Sequence, residues 1–98
     1  MKEYRVSRGA RRELDAIFVY WAERTSIETA DRLIDSIVDR FWLLGEYPEA
    51  GRLYHDDASG VRSFPAGKYL IYYRKVRRCV EILHVFHGAR DRKKAGRK

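Results

Sequence analysis

The sequence has a single cysteine and no long apolar run. One cysteine, Cys79, excludes an internal disulfide, and no set of cysteines and histidines has the spacing of a zinc site. A membrane span needs about 18 consecutive apolar residues, and charged residues interrupt every apolar stretch before that length. The N-terminus alternates charged and apolar residues, unlike a signal peptide. We therefore predict a cytoplasmic protein with no membrane association, no metal and no cofactor.

Basic residues, by contrast, are abundant. Lysine and arginine number 21 against 14 aspartates and glutamates, a formal net charge of +7 on 98 residues. A chain of this length is expected to form one domain, because two separate cores would each be too small to be stable. The excess charge gives the surface a positive field, so its partners are expected to be anionic or to carry an acidic face.

Two amphipathic helices are predicted in the N-terminal half. Between residue 10 and about residue 24, apolar side chains recur every three or four positions. A second helix begins after Thr25 or Ser26, either of which could cap it, and is expected to stop at Gly45 and Pro48. Because the link between the helices is so short, they must form an antiparallel hairpin.

Strands are predicted on both sides of this hairpin. Residues 4–7 alternate apolar and polar side chains, the period of a half-buried strand. After a loop over residues 47–60, the segments 61–64, 69–74 and 79–87 are rich in β-branched and aromatic residues. We expect the last three to form a sequential antiparallel meander. The predicted fold class is thus α+β, with an N-terminal strand, a two-helix hairpin and a three-strand meander in one small sheet.

The last strand is apolar on both faces, which predicts a central position in the sheet. Strict alternation would place Val80, Ile82, His84 and Phe86 on one face and Glu81, Leu83, Val85 and His87 on the other. On this basis His84 is expected to be partly buried beside a hydrogen-bond partner. The domain is expected to span residues 1–88, followed by a basic and flexible tail over residues 89–98.

Short motifs at the joints of these elements follow one family pattern. In order, they are Tyr4-Arg5-Val6-Ser7, residues 10–17, residues 47–52, Gly60-Val61-Arg62, residues 67–74 and residues 82–91. Their order and spacing over nearly the whole chain resemble the RelE/ParE superfamily of toxins. Within that superfamily, the chain is more similar to the ParE branch.

The resemblance implies a toxin of a type II toxin–antitoxin system. Its expected partner is a cognate antitoxin that is acidic, partly disordered when free, and bound in a hetero-oligomer. ParE-like members are known as inhibitors of DNA gyrase, whereas RelE-like members cut messenger RNA on the ribosome. The resemblance therefore implies DNA gyrase or a related protein as the target, with the ribosome and its message as the alternative.

The two branches differ in the catalytic groups they require. Cleavage of RNA needs side chains that hold the phosphate and side chains that move protons. Arg62 and Arg74 are the candidates for the phosphate. The main candidate for proton transfer is His87, and the other candidates are His84, Tyr72 and Glu81. The lysine cluster typical of RelE is replaced by residues 55–57, His-Asp-Asp, and its terminal tyrosine by His87-Gly88. These departures favour a ParE-like inhibitor with no catalytic residues.

Six side chains are candidates for contacts with the target or the antitoxin. They are Trp21, Trp42, Arg62, Arg74, His87 and Arg90. Tryptophan is enriched at binding hot spots, but either indole could instead lie in the core. Arg62 could equally pair with Asp15 or Glu13 and fix the sheet to the helices. A third interpretation, a small nucleic-acid-binding domain, is disfavoured because no recognition helix, zinc finger or RNP motif is present.

Overall fold

Five strands form one mixed sheet, and two helices pack on one of its faces, in this computed structural model, which describes residues 3–53 and 59–88. The strands are β1 (Glu3–Val6), β2 (Arg52–Leu53), β3 (Arg62–Ala66), β4 (Tyr69–Val76) and β5 (Cys79–His87). The helices are α1 (Arg8–Arg24) and α2 (Ile27–Glu46). Three features named above, the His-Asp-Asp segment, Arg90 and the basic tail, lie outside the described residues.

Serine hydroxyls cap both helices. Ser7 Oγ accepts from Ala10 N at 3.0 Å, and Ser26 Oγ accepts from Thr29 N at 3.0 Å. Of the two residues that could cap α2, Ser26 is therefore the cap, while Thr25 closes α1 by donating its N–H to Trp21 O. In the described part of the chain, no helix combines the length and apolar character needed to cross a membrane.

The predicted stop of α2 at Gly45 and Pro48 is confirmed to within one residue of the glycine. The helix continues through Gly45 to Glu46 and ends two residues before Pro48. Gly45 is buried where β1 passes, and a Cβ at this position would lie 3.1 Å from Glu3 O. The glycine therefore permits close approach of helix and strand rather than ending the helix.

The sheet order is β1-β5-β4-β3-β2. The predicted meander of β3, β4 and β5 is confirmed as antiparallel, and β5 is an interior strand as expected. β1 pairs in parallel with β5, with Glu3 opposite Cys79 and Val6 opposite Ile82. A parallel pair needs a crossover connection, which the helix hairpin supplies. The sequence did not predict β2, because a strand of two residues is too short to show an alternation of apolar and polar side chains.

A bulge in β5 overturns the predicted division of its faces. Tyr72 pairs with His84 but Tyr73 pairs with Ile82, so Leu83 is an extra residue on β5. After it the side chains exchange faces. Val85 is therefore buried with Val80 and Ile82 on the face that the helices cover, here called the helix face. Phe86 lies instead on the opposite, open face, where its ring stacks on His84 at 4.9 Å.

The buried Tyr73 hydroxyl fixes the loop after α2. It accepts from Gly51 N and donates to Pro48 O, both at 2.8 Å. Gly51 is packed so closely that a Cβ would lie 2.6 Å from this hydroxyl and from Ser63 O. Arg62 Nη1 donates to Gly51 O at 2.7 Å and completes the anchor. Burial raises the pKa of Tyr73, although the Gly51 hydrogen bond and the charge of Arg62 oppose this shift.

We predict that Tyr73→Phe lowers the free energy of unfolding. We also predict that the stability of this variant falls less steeply with rising alkaline pH than that of the parent protein. The buried Gly51 N–H would lose its acceptor, which costs about 1–3 kcal/mol. Because folding raises the pKa of Tyr73, its contribution is complete below the ordinary tyrosine pKa of about 10 and is lost as pH rises through the folded-state pKa. Urea unfolding of both proteins between pH 8 and about 11 measures the difference. Equal losses of stability over this range would contradict the prediction.

Candidate functional site

Arg62 lies on the helix face at the start of β3, directly opposite Tyr73. Its guanidinium is half-buried and donates to the Gly51 carbonyl. The alternative in which Arg62 pairs with Asp15 or Glu13 is wrong, because its guanidinium binds the loop after α2 instead. A guanidinium held by a backbone carbonyl keeps its charge but is directed into the protein.

Arg74 follows Tyr73 on β4, and its side chain therefore lies on the open face. It is opposite Glu81, with Arg74 Nη2 3.5 Å from Glu81 Oε1. Arg5 on β1 shares the same carboxylate, with its Nε 3.8 Å from Glu81 Oε2. Both arginines are largely exposed, so each ion pair contributes little to stability.

His87 lies at the other end of the sheet. It is opposite Tyr69, whose ring centroid is 5.4 Å away. Tyr73 lies four positions after Tyr69 along β4, a distance of roughly 13 Å at about 3.3 Å per residue. The structure therefore does not bring Arg62, Arg74 and His87 together. Within residues 3–53 and 59–88, no group of three histidine, cysteine or acidic side chains is placed to hold a metal.

A groove of about 570 Å³ runs between α1 and the outer edge of β5, and we call it the edge groove. It exists because β1 ends opposite Ile82, so no strand of the described residues covers the rest of β5 on that side. Glu13 takes the strand's place. Its Oε1 accepts from Val85 N at 2.9 Å, and its Oε2 lies 3.1 Å from His84 Nδ1. His84 thus has the expected hydrogen-bond partner, but it is exposed rather than partly buried.

The two tryptophans differ in their surroundings. Trp21 is half-buried in the edge groove, where its Nε1 donates to Tyr69 Oη at 2.8 Å. Trp42 on α2 is 59% exposed and meets the ring of Tyr4 edge-on, with centroids 5.2 Å apart. Trp21 is thus held by the fold, whereas most of the Trp42 surface is open to a partner.

Trp42 borders a second hollow, of about 720 Å³, which we call the Trp42 groove. Its floor is apolar and comes from β1 and both helices, with Tyr4, Val6 and Phe41 among the contributors. Arg5 and Arg11 are at its rim, together with Glu3. β1 is the outermost strand and pairs only with β5 in the described residues, so its outer edge also faces this region.

Glu13 lines the edge groove, a position that the sequence pattern hid. Its charge assigns it to the solvent side of α1. However, it lies three residues after Ala10 and four before Ile17, the two buried residues of that helix. This spacing places it on the same stripe. A carboxylate inside an apolar stripe is the signal that could have identified Glu13 as a hydrogen-bond acceptor for an otherwise unpaired backbone N–H.

Comparisons with known proteins agree on one family. The family model of the ParE toxin of type II toxin–antitoxin system, parDE, matches residues 4–92. Toxin ParE1 of Caulobacter vibrioides is 32% identical over 87 residues, which cover 89% of this chain and 90% of that protein. The chromosomal ParDE TA system from P. aeruginosa has a similar fold, with a TM-score of 0.76 and 21% identity over 89% of this chain and 96% of that one.

We predict that Glu13→Ala opens the edge of β5. Val85 N–H would lose a charged acceptor, and the free energy of unfolding is expected to fall by about 1.5–3 kcal/mol. Exchange of the Val85 amide should accelerate as well. Glu13→Gln retains an acceptor oxygen and should cost less, and Asp15→Ala, at an exposed position of the same helix, is the control. Unchanged exchange at Val85 in Glu13→Ala would show that the strand edge does not depend on this carboxylate.

Proposed function

Because this chain belongs to the ParE toxin family of type II toxin–antitoxin systems, we propose that it acts by binding and inhibiting DNA gyrase or a related target. We further propose that a cognate antitoxin neutralises it. Both activities belong in the cytoplasm, where we expect the protein to act. In this proposal the toxin is a binding protein rather than an enzyme.

The observation that carries this choice is the separation of Arg62, Arg74 and His87. A ribonuclease that used them would need all three side chains within reach of one phosphate group. Instead, Arg62 is bound to Gly51 O on the helix face, Arg74 lies on the open face, and His87 lies at the far end of the sheet. This arrangement favours inhibition by binding over an active site built from these three side chains.

We place the antitoxin on the Trp42 groove. The groove offers an exposed indole, an apolar floor and the outer edge of β1. An extended segment can add to such an edge through backbone hydrogen bonds, while a large aromatic side chain anchors it. Arg5 and Arg11 at the rim would bind carboxylates of an acidic chain. These features fit an antitoxin segment that is disordered when free and folds when it binds the toxin.

We predict that Trp42→Ala weakens binding of the antitoxin encoded beside this chain by about 2 kcal/mol or more, roughly 30-fold, as expected for a hot-spot residue. The thermal midpoint should change little, because the side chain is 59% exposed. Ile27→Ala is the matched control, since Ile27 is 62% exposed at the start of α2 and does not line the groove. Isothermal titration calorimetry measures the affinity of each variant for the antitoxin. Equal losses for the two variants would exclude Trp42 as an anchor.

We predict that the purified protein blocks supercoiling of relaxed plasmid by gyrase and leaves a ribosome-bound message intact. The message assay should include His87→Ala and Arg62→Ala, each confirmed as folded by circular dichroism. Cleavage by the parent protein that either variant abolishes would establish the RelE-like ribonuclease instead. If neither assay responds although the protein still arrests growth, the target is neither gyrase nor the ribosome-bound message.

A further inference from the structure

The hairpin that joins β4 to β5 ends in a dense group of cations. Arg74, Lys75, Arg77 and Arg78 are all exposed, and together they form what we call the hairpin tip. β3 pairs with β4 only as far as Tyr73, so the tip projects past that neighbouring strand. Four positive side chains thus lie within five consecutive positions at one end of the sheet.

In the part of the chain that the structure describes, ion pairs with carboxylates neutralise little of this charge. Glu81 contacts Arg74 but is shared with Arg5. Among residues 3–53 and 59–88, no ion pair joins Lys75, Arg77 or Arg78 to a carboxylate, although Glu46 lines the hollow beside them. Like charges held this close repel one another, and an anion bound at the tip would relieve that repulsion.

Arg77 also has an unfavourable backbone conformation. Val76 pairs with Cys79, so Arg77 and Arg78 form a two-residue turn, and the φ of Arg77 is 52°. Glycine, asparagine or aspartate normally occupies such a position, because other side chains are strained there. Strained residues concentrate at functional sites. An arginine at this position is better explained by what its side chain binds than by the needs of the turn.

We propose that the hairpin tip binds the sugar–phosphate backbone of nucleic acid. Cations on both faces of the hairpin and in its turn suit a polymer with regularly repeated charges, which binds through phosphate contacts alone. An acidic protein segment would also need apolar anchors. None of the large apolar side chains exposed in the described part of the chain belongs to this hairpin. The proposal does not depend on which protein the toxin inhibits.

The test is fluorescence anisotropy with the full chain and a labelled DNA duplex of about 20 base pairs, between roughly 50 and 200 mM salt. The tip variant is Lys75→Gln with Arg78→Gln. Its matched control is Arg12→Gln with Arg40→Gln, which removes the same charge from exposed helix positions. We expect the slope of log affinity against log salt to fall by about 1 for each tip cation removed, and much less in the control. Arg77→Gly should weaken binding while leaving the thermal midpoint unchanged or higher.

Three results would overturn the proposal. Equal weakening by the tip variant and its control would mean that binding reflects net charge alone. Displacement of the DNA by poly-glutamate as effectively as by unlabelled duplex, at equal charge concentration, would assign the tip to acidic proteins instead. A lower thermal midpoint in Arg77→Gly would show that this arginine serves the turn.

Discussion

The parallel pairing of β1 with β5 is the contact on which the remaining architecture depends. It joins the start of the described chain to its end and requires a crossover, which the two helices provide. The pairing stops at Val6, and the free edge of β5 beyond that point creates the edge groove that Glu13 borders. On its other side, β1 leaves the open edge that borders the Trp42 groove.

Features set by neighbouring residues could be predicted from the sequence, and features set by distant ones could not. The helices and the antiparallel meander follow from local periodicity, and the N-cap of α2 was narrowed to Thr25 or Ser26 by residue type. The parallel position of β1 depends on a pairing that local pattern does not encode. Likewise, the bulge at Leu83 shifts the register of β5 by one residue, so the side chains after it lie on the opposite face from the one that strict alternation predicts.

The same limit applies to the candidate site. Both tryptophans lie on amphipathic helices, so periodicity could not show that Trp21 would be held by Tyr69 while Trp42 remained open. The charge of Arg62 suggested a carboxylate partner, whereas the fold supplied a carbonyl from the loop after α2. In both cases the outcome depends on which segment the sheet brings alongside the residue.

The long separation between paired segments has a consequence for synthesis of the protein. Ser7 binds the carbonyl of Leu83, 76 positions later, so β1 leaves the ribosome long before its partner exists. Contacts of such separation form slowly, because a large loop must close first. The edge groove, which β5 lines, is not complete until that strand has emerged. The sheet of this protein is therefore completed only near the end of its synthesis, when β5 reaches a β1 that has long been waiting.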